Sequence, residues 1–184
     1  MVQQFMDLCV GRHIHADHAA MDATGAGRVL HDIIAEKWSP MVLAVQFGGA
    51  PSERPVGMGN QTAKDLYDRR VSELWHVGIE YIRAGQIRNL TFELANEMKA
   101  RHYEHTKTGG LRIKVESKTD MKSRVGFSPD IADSYMILLE LARTRFHFQP
   151  GPEGNARVTS KKAFLEAAKS YDAVNQSLYS EPVY

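Results

Sequence analysis

The sequence has little cysteine and no long apolar run. Cys9 is the single cysteine among 184 residues, so no disulfide can form within the chain, and this suits a reducing compartment. No stretch approaches the apolar length that is needed to cross a bilayer. The first residues have neither the basic start nor the apolar run of a signal peptide. We therefore expect neither a disulfide-stapled secreted protein nor a membrane protein.

Nucleotide-binding loops are also missing. No GxxxxGKS or GxxxxGKT motif is present, which excludes a P-loop ATPase within this sequence. The turn at residues 24–27 (TGAG) follows a predicted strand, but it lacks the full GxGxxG spacing, and no acid ends the next predicted strand. We therefore do not assign a dinucleotide site.

The overall composition is that of a folded globular chain, with 43% hydrophobic and 24% charged residues. The length is sufficient for one domain with a sizeable core. The formal net charge of +1 does not by itself indicate a nucleic-acid partner. Between residues 101 and 126, however, seven basic residues stand against three acidic ones. This surplus suits a phosphate backbone, although a solvated hairpin face would have the same composition.

An apolar strand–helix–strand pattern occupies the centre of the predicted fold, which we assign to the α/β class. Residues 18–23 are predicted to form a short buried strand, residues 28–38 a helix, and residues 41–47 a strand covered on both faces. The simplest connection is a parallel pair with a right-handed crossover. A helix over residues 2–11 precedes this unit.

The remaining segments are predicted to add helices and one β-hairpin. They are an amphipathic helix at 62–84, a helix from Thr91, a hairpin with arms 101–105 and 111–116, a short helix at 118–124 and a helix at 130–144. We assign residues 1–148 to one domain and residues 149–184 to a linker and C-terminal tail, with one surface helix over 160–178.

Asp22 stands at the end of the first buried strand, where an unpaired carboxylate is expensive to bury. It is a candidate ligand for a divalent cation, because carboxylate oxygens are the ligands that such cations prefer. The alternative is that Asp22 only caps the turn at residues 24–27, a common position for aspartate. Sequence position alone does not separate these two interpretations.

Asp130 and Asp133 lie one helical turn apart near the start of the last helix, so their side chains leave the same face. Capping of the helix and compensation of its dipole explain Asp130 well. Asp133 lies inside the apolar stretch 131–136, where an acid needs a partner. A cation shared with Asp22 would supply that partner.

Several ordered motifs resemble the C-terminal nuclease domain of phage terminase large subunits. The most specific are ESKTDMKSR at residues 116–124 and SPDIAD at residues 128–133, which match the family's lysine-containing short helix and its S-P-D-x-A-D motif. Further similar runs lie at residues 21–27, 45–50, 73–75, 82–87 and 94–98. The similarity covers roughly residues 2–145.

The resemblance implies a ribonuclease-H-like fold and a metal-dependent endonuclease that cuts concatemeric viral DNA during packaging. The family uses Mg²⁺ or Mn²⁺ in a two-ion site. By the match of motifs, the resemblance implies that Asp22 is the acid of the family's second strand and Asp133 the acid of its C-terminal helix. Asp130 would be an auxiliary ligand. These three are the candidate catalytic and metal-binding residues.

The resemblance also implies double-stranded DNA as a partner. Basic side chains in and after the hairpin would contact its phosphates, namely Lys107, Lys114, Lys118, Lys122 and Arg124. Plain solvation is the alternative for each of them. Further expected partners are the terminase ATPase part, the small terminase subunit and the portal, in the cytoplasm of the infected host.

The resemblance is incomplete at its start. The family's domain opens with antiparallel strands, the first of which bears a metal-bridging aspartate, and no segment before Ala19 has that character. We therefore expect a partial, N-terminally truncated fold that binds metal weakly and does not cut DNA efficiently. A non-catalytic DNA-binding or packaging-assembly module is the alternative function. A zinc site at His13, His15 and His18 is a third hypothesis.

Overall fold

The computed structural model describes residues 1–56, 60–87, 90–106 and 110–151. In chain order the elements are α1 (Val2–Gly11), a short 3-10 helix (Ala16–His18), β1 (Ala20–Asp22), α2 (Ala26–Lys37), β2 (Leu43–Val45), α3 (Ala63–Leu66), α4 (Arg70–Arg83), α5 (Phe92–Ala100), β3 (Tyr103–His105), β4 (Ile113–Val115), α6 (Lys118–Val125) and α7 (Asp130–Arg145). Among the described helices, none combines the length and the apolar character that a membrane span requires. The surface helix predicted over 160–178 lies outside the described residues.

Strands β1 and β2 pair in parallel around α2, so the predicted strand–helix–strand unit is confirmed. Ala20, Met21 and Asp22 stand opposite Leu43, Ala44 and Val45. Both strands are shorter than predicted because the ladder gives way to other bonds at its ends. Beyond β2, the Phe47 amide donates to the Thr24 hydroxyl (2.9 Å) instead of to a strand carbonyl.

Strands β3 and β4 form an antiparallel hairpin with Glu104 opposite Lys114, as predicted. The single long helix predicted over 62–84 is wrong: α3 and α4 are separate helices. Strand β4 is the cause, since the Asp68 amide donates to the Ile113 carbonyl (3.1 Å) and Tyr67 forms a bridge to Ile113. The chain between the two helices is therefore extended along the hairpin.

Helix α7 lies at the centre of the main core and packs against β1, α4 and α5. Its buried Met136 sits against Gly78 of α4, where any Cβ would collide with the Met136 thioether. Gly27 is needed in the same way, because a Cβ there would overlap the Asp22 carbonyl. These two glycines bring α4 close to α7 and α2 close to the end of β1.

A smaller apolar cluster joins α1 and α2 to the sheet through Cys9, Ala19, Ile34 and Val42. Cys9 is buried there, and burial raises the pKa of its thiol. A pKa above the ordinary value keeps the thiol protonated and unreactive.

A buried charge network ties α4 and α7 to the loop after β2. Glu73 accepts hydrogen bonds from Ser52, Arg70 and Arg143, and Glu140 accepts from Arg54, Arg70 and Arg143. Burial alone would raise the pKa of Glu73, but the hydrogen bonds from Ser52 and Arg143 and the charge of Arg70 lower it below its ordinary value. Glu73 is therefore ionised, and the hydrogen bonds hold both carboxylates in place.

Candidate active site

A cavity of about 330 Å³ opens where β1, the start of α4, the base of the hairpin and α7 meet. Asp22 and Asp133 both line it, together with Thr24, Arg101 and Lys118. Asp22 arrives from the carboxyl end of β1 and Asp133 from the first turn of α7. The fold thus brings to one cavity two acids that are 111 positions apart in the sequence.

Asp22 is half-buried, and its Oδ1 accepts a hydrogen bond from the Thr24 amide (2.8 Å). Turn capping therefore does occur, but it occupies one oxygen. Within the described part of the chain, Oδ2 has no hydrogen-bond donor. Capping and ligation are compatible in this geometry, because each uses a different oxygen of the carboxylate.

Asp133 is buried, with 4% of its side chain exposed. Its Oδ1 accepts from Trp75 Nε1 (2.8 Å) and from Arg101 Nη1 (2.9 Å). Its Oδ2 lies 2.8 Å from Lys118 Nζ, but the angle is outside hydrogen-bond geometry, so this contact is an ion pair only. Among the described residues, Oδ2 is the one buried side-chain polar atom without a hydrogen bond.

Two cations flank Asp133 and differ in how far their side chains are exposed. The Arg101 side chain is 3% exposed, donates from Nε to the Glu116 carbonyl (3.0 Å) and lies 4.5 Å from the centre of the Trp75 ring. Burial lowers the pKa of Arg101, and Asp133 partly offsets this. Lys118 is 43% exposed; burial would lower its pKa, but Asp133 and Asp130 raise it.

The sequence did not indicate that Arg101 belongs to the site. Arg101 contributed to the prediction only as one member of the basic surplus. The available signal was Asp133 itself, because an acid in an apolar stretch requires a partner. The partners found are Arg101, Lys118 and the indole of the buried Trp75.

Asp130 does not share the cavity of Asp22 and Asp133. It is exposed (73%) and lines a neighbouring groove of about 470 Å³ with Lys118 and Lys122. Lys118 connects the two spaces, since its Nζ lies 3.2 Å from Asp130 Oδ1 as well as against Asp133. Burial would raise the pKa of Asp130, but the hydrogen bonds from Ser128 and Lys118 lower it.

The candidate DNA-contacting residues separate into distinct groups. Lys107 lies outside the described residues. Lys114 is paired with Glu104 (2.9 Å), and Arg124 is bound to the Glu116 carboxylate and to the Ala100 carbonyl. Lys118 and Lys122 line the groove beside Asp130. Lys118 is also paired, with Asp130 and Asp133, so Lys122, which forms no ion pair among the described residues, is the one best placed to meet a phosphate.

The described residues contain no cluster of three histidine, cysteine, aspartate or glutamate side chains that could hold a metal ion. The zinc hypothesis for His13, His15 and His18 therefore has no support in the described chain. His18 instead lies against Phe146, with ring centres 4.9 Å apart. Asp22 and Asp133 are the two carboxylates that line the cavity.

Comparison with known proteins gives a likeness of structure. No family model matches the sequence, and the search of curated proteins also returned no match. Among solved structures, the nuclease domain of the large terminase subunit of bacterial virus Sf6 matches with a TM-score of 0.56 at 18% identity, over 74% of this chain and 70% of that chain. The chain has a terminase-nuclease-like fold.

Two further solved structures of that viral domain match over the same shares of each chain. They are a lysine-to-alanine mutant with manganese and one with calcium, each with a TM-score of 0.56 at 16% identity. Likeness at this level of identity establishes the mixed α/β, ribonuclease-H-like architecture. The predicted fold class is confirmed.

Proposed function

We propose that this chain is a nuclease domain, or part of one, of a viral DNA-packaging terminase large subunit. The observation that carries the proposal is the cavity shared by Asp22 and Asp133. Each aspartate has one oxygen held by protein donors and a second oxygen without a hydrogen bond from the described residues. Such an arrangement is suited to binding a divalent cation between Asp22 Oδ2 and Asp133 Oδ2, provided that the Lys118 ammonium paired with Asp133 Oδ2 moves aside.

The residues fit one divalent cation. Mg²⁺ and Mn²⁺ sites at phosphodiesters commonly use one or two carboxylates, with water and phosphate oxygens as the other ligands. A two-ion site needs further acidic ligands, and the described residues offer no third carboxylate in this cavity. When bound, the ion supplies a Lewis acid for a phosphate oxygen and a lower pKa for a water molecule. We infer weak metal binding and inefficient cleavage.

The surrounding side chains would bind and orient the substrate. Lys118 and Lys122 face the groove that continues from the cavity, so a phosphate backbone entering the cavity would pass both ammonium groups. Arg101 stays with Asp133 and is not available to the backbone, since its side chain is buried. Double-stranded DNA is the proposed partner, and the ATPase part, small terminase subunit and portal are further proposed partners.

The test combines metal binding with plasmid nicking in Mn²⁺. Wild type, Asp22→Asn and Asp133→Asn are compared with Asp32→Asn, a control carboxylate that is 68% exposed on α2. We expect weak, saturable Mn²⁺ binding that both cavity variants lose and the control keeps, with little nicking by any of them. Unchanged binding in both cavity variants would refute the metal site. Strong nicking that both variants abolish would refute the inference of inefficient cleavage.

A second function has one observation in its favour. Asp133 is already neutralised by Arg101 and Lys118, so its burial is explained without a metal. This favours a non-catalytic DNA-binding or packaging-assembly module. That module would bind DNA with a steep salt dependence, and binding would survive the combined Asp22→Asn and Asp133→Asn changes. A Mn²⁺ requirement for DNA binding would exclude it.

A further inference from the structure

We propose that Arg101 is a positioning residue for the metal site, and that with Trp75 it holds Asp133 through Oδ1, which leaves Oδ2, now paired with the Lys118 ammonium, as the oxygen that a cation would bind. This inference rests on the proposed function. It goes further by assigning the ligating atom and the groups that select it. The prediction that follows is a single metal–oxygen bond from Asp133.

The first step concerns Oδ1, which is fully used by the protein. Trp75 Nε1 and Arg101 Nη1 donate to this atom at 2.8 and 2.9 Å. Two donors to one oxygen restrict the rotation of the carboxylate, and a hydrogen bond to a charged group is roughly twice as strong as a neutral one. A cation cannot reach Oδ1 without breaking these bonds.

The second step is that Arg101 is itself held by several partners. Its Nε donates to the Glu116 carbonyl, and its guanidinium lies on the Trp75 ring, so three separate partners define its position. The planar guanidinium supplies these donors in a fixed fork that lysine cannot reproduce. Arg101 therefore transmits the rigidity of the hairpin base to Asp133.

The third step separates positioning from charge. A cation beside a metal ligand repels the metal, so removing Arg101 should tighten metal binding if its charge were its whole effect. If Arg101 acts by positioning Asp133, its removal should instead weaken metal binding. Residues that orient a metal ligand typically contribute about 10- to 100-fold in metal affinity. The direction of the change therefore decides between the two roles.

The experiment measures the Mn²⁺ dissociation constant by electron paramagnetic resonance of free Mn²⁺, in parallel with melting temperature in EDTA. The variants are Arg101→Lys, Arg101→Met and Trp75→Phe, and the control is Arg83→Lys, which is 73% exposed on α4. We expect all three site variants to weaken Mn²⁺ binding by about tenfold or more, and the control to match wild type. Arg101→Lys and Trp75→Phe decide the outcome if Arg101→Met does not fold.

Two outcomes would overturn the proposal itself. Wild-type affinity in Arg101→Lys with tighter binding in Arg101→Met would mean that charge is the whole effect. A lower melting temperature in EDTA with unchanged Mn²⁺ affinity in the folded variants would mean a purely structural role. Absence of saturable Mn²⁺ binding by wild type, or unchanged affinity in Asp133→Asn, would instead refute the proposed function on which this inference rests.

Discussion

Replacing Glu73 by glutamine should destabilise the protein strongly, because Glu73 is one of two carboxylates in the buried charge network. The Glu73 side chain has 0% exposure and accepts from Ser52, Arg70 and Arg143. Glutamine keeps the shape but removes the charge and places an amide N–H₂ against these donors. Glu140 would remain as the one carboxylate among Arg54, Arg70 and Arg143.

The magnitude follows from the burial of the charges. Removing one partner from a buried ion pair costs about 3–5 kcal/mol, because the remaining charge stays desolvated and uncompensated. Screening by solvent does not reduce this figure, since Glu73 is inaccessible and the Arg143 side chain is 5% exposed. For a chain of this size each kcal/mol lowers the melting temperature by roughly 2–4 °C. We therefore expect a loss of roughly 6–20 °C.

The assay is urea unfolding at 25 °C, with Glu80→Gln as the matched control on the same helix. Glu80 is 54% exposed and pairs with Arg83 at the surface, so its loss should cost about 0.5 kcal/mol or less. If the free energies of unfolding of the two variants differ by less than about 1 kcal/mol, the argument that α4, α7 and the loop after β2 depend on a balanced buried network is wrong.

Two other changes test charges near the base of the hairpin. Lys118→Ala removes an ammonium group 2.8 Å from Asp133 Oδ2, so Mn²⁺ should bind several-fold more tightly; weaker binding would contradict a repulsive role for Lys118. The hydrogen bond from Arg124 lowers the pKa of Glu116 from 4.5 to about 2. This depressed pKa stabilises the fold above about pH 4.5, and the contribution is lost as pH falls toward 2. Urea unfolding across this pH range should show a smaller loss for Glu116→Gln than for wild type, and equal losses would contradict the assignment.

Local pattern was sufficient for the elements that depend on local chemistry. The apolar runs around Met21 and Ala44 predicted the paired strands, and the glycine-rich turn between Glu104 and Lys114 predicted the hairpin. The helix predicted over 62–84 failed because helical periodicity does not reveal competition from a distant strand. Asp68 bonds to Ile113, which lies 45 positions later in the sequence.

The part of the candidate site that could be predicted is the part marked by an acid in an apolar stretch, where burial of a charge is unfavourable. An acid among apolar residues signals a need for a partner, and this placed Asp133 in the site. The identity of the partner was not predictable, because Arg101 and Trp75 reach Asp133 from other elements. Asp130 shares its helix turn with Asp133 but lies on the exposed side, which spacing alone could not distinguish.

The two cations at Asp133 come from the two ends of the hairpin. Arg101 stands just before β3 and Lys118 just after β4, so the excursion leaves from and returns to the same carboxylate. We therefore expect that the outer part of the hairpin can change in length and sequence without altering the charges around Asp133, provided that Arg101 and Lys118 stay paired with it. Pairing both ends of the hairpin with one buried carboxylate separates variation in the outer hairpin from the chemistry of the cavity.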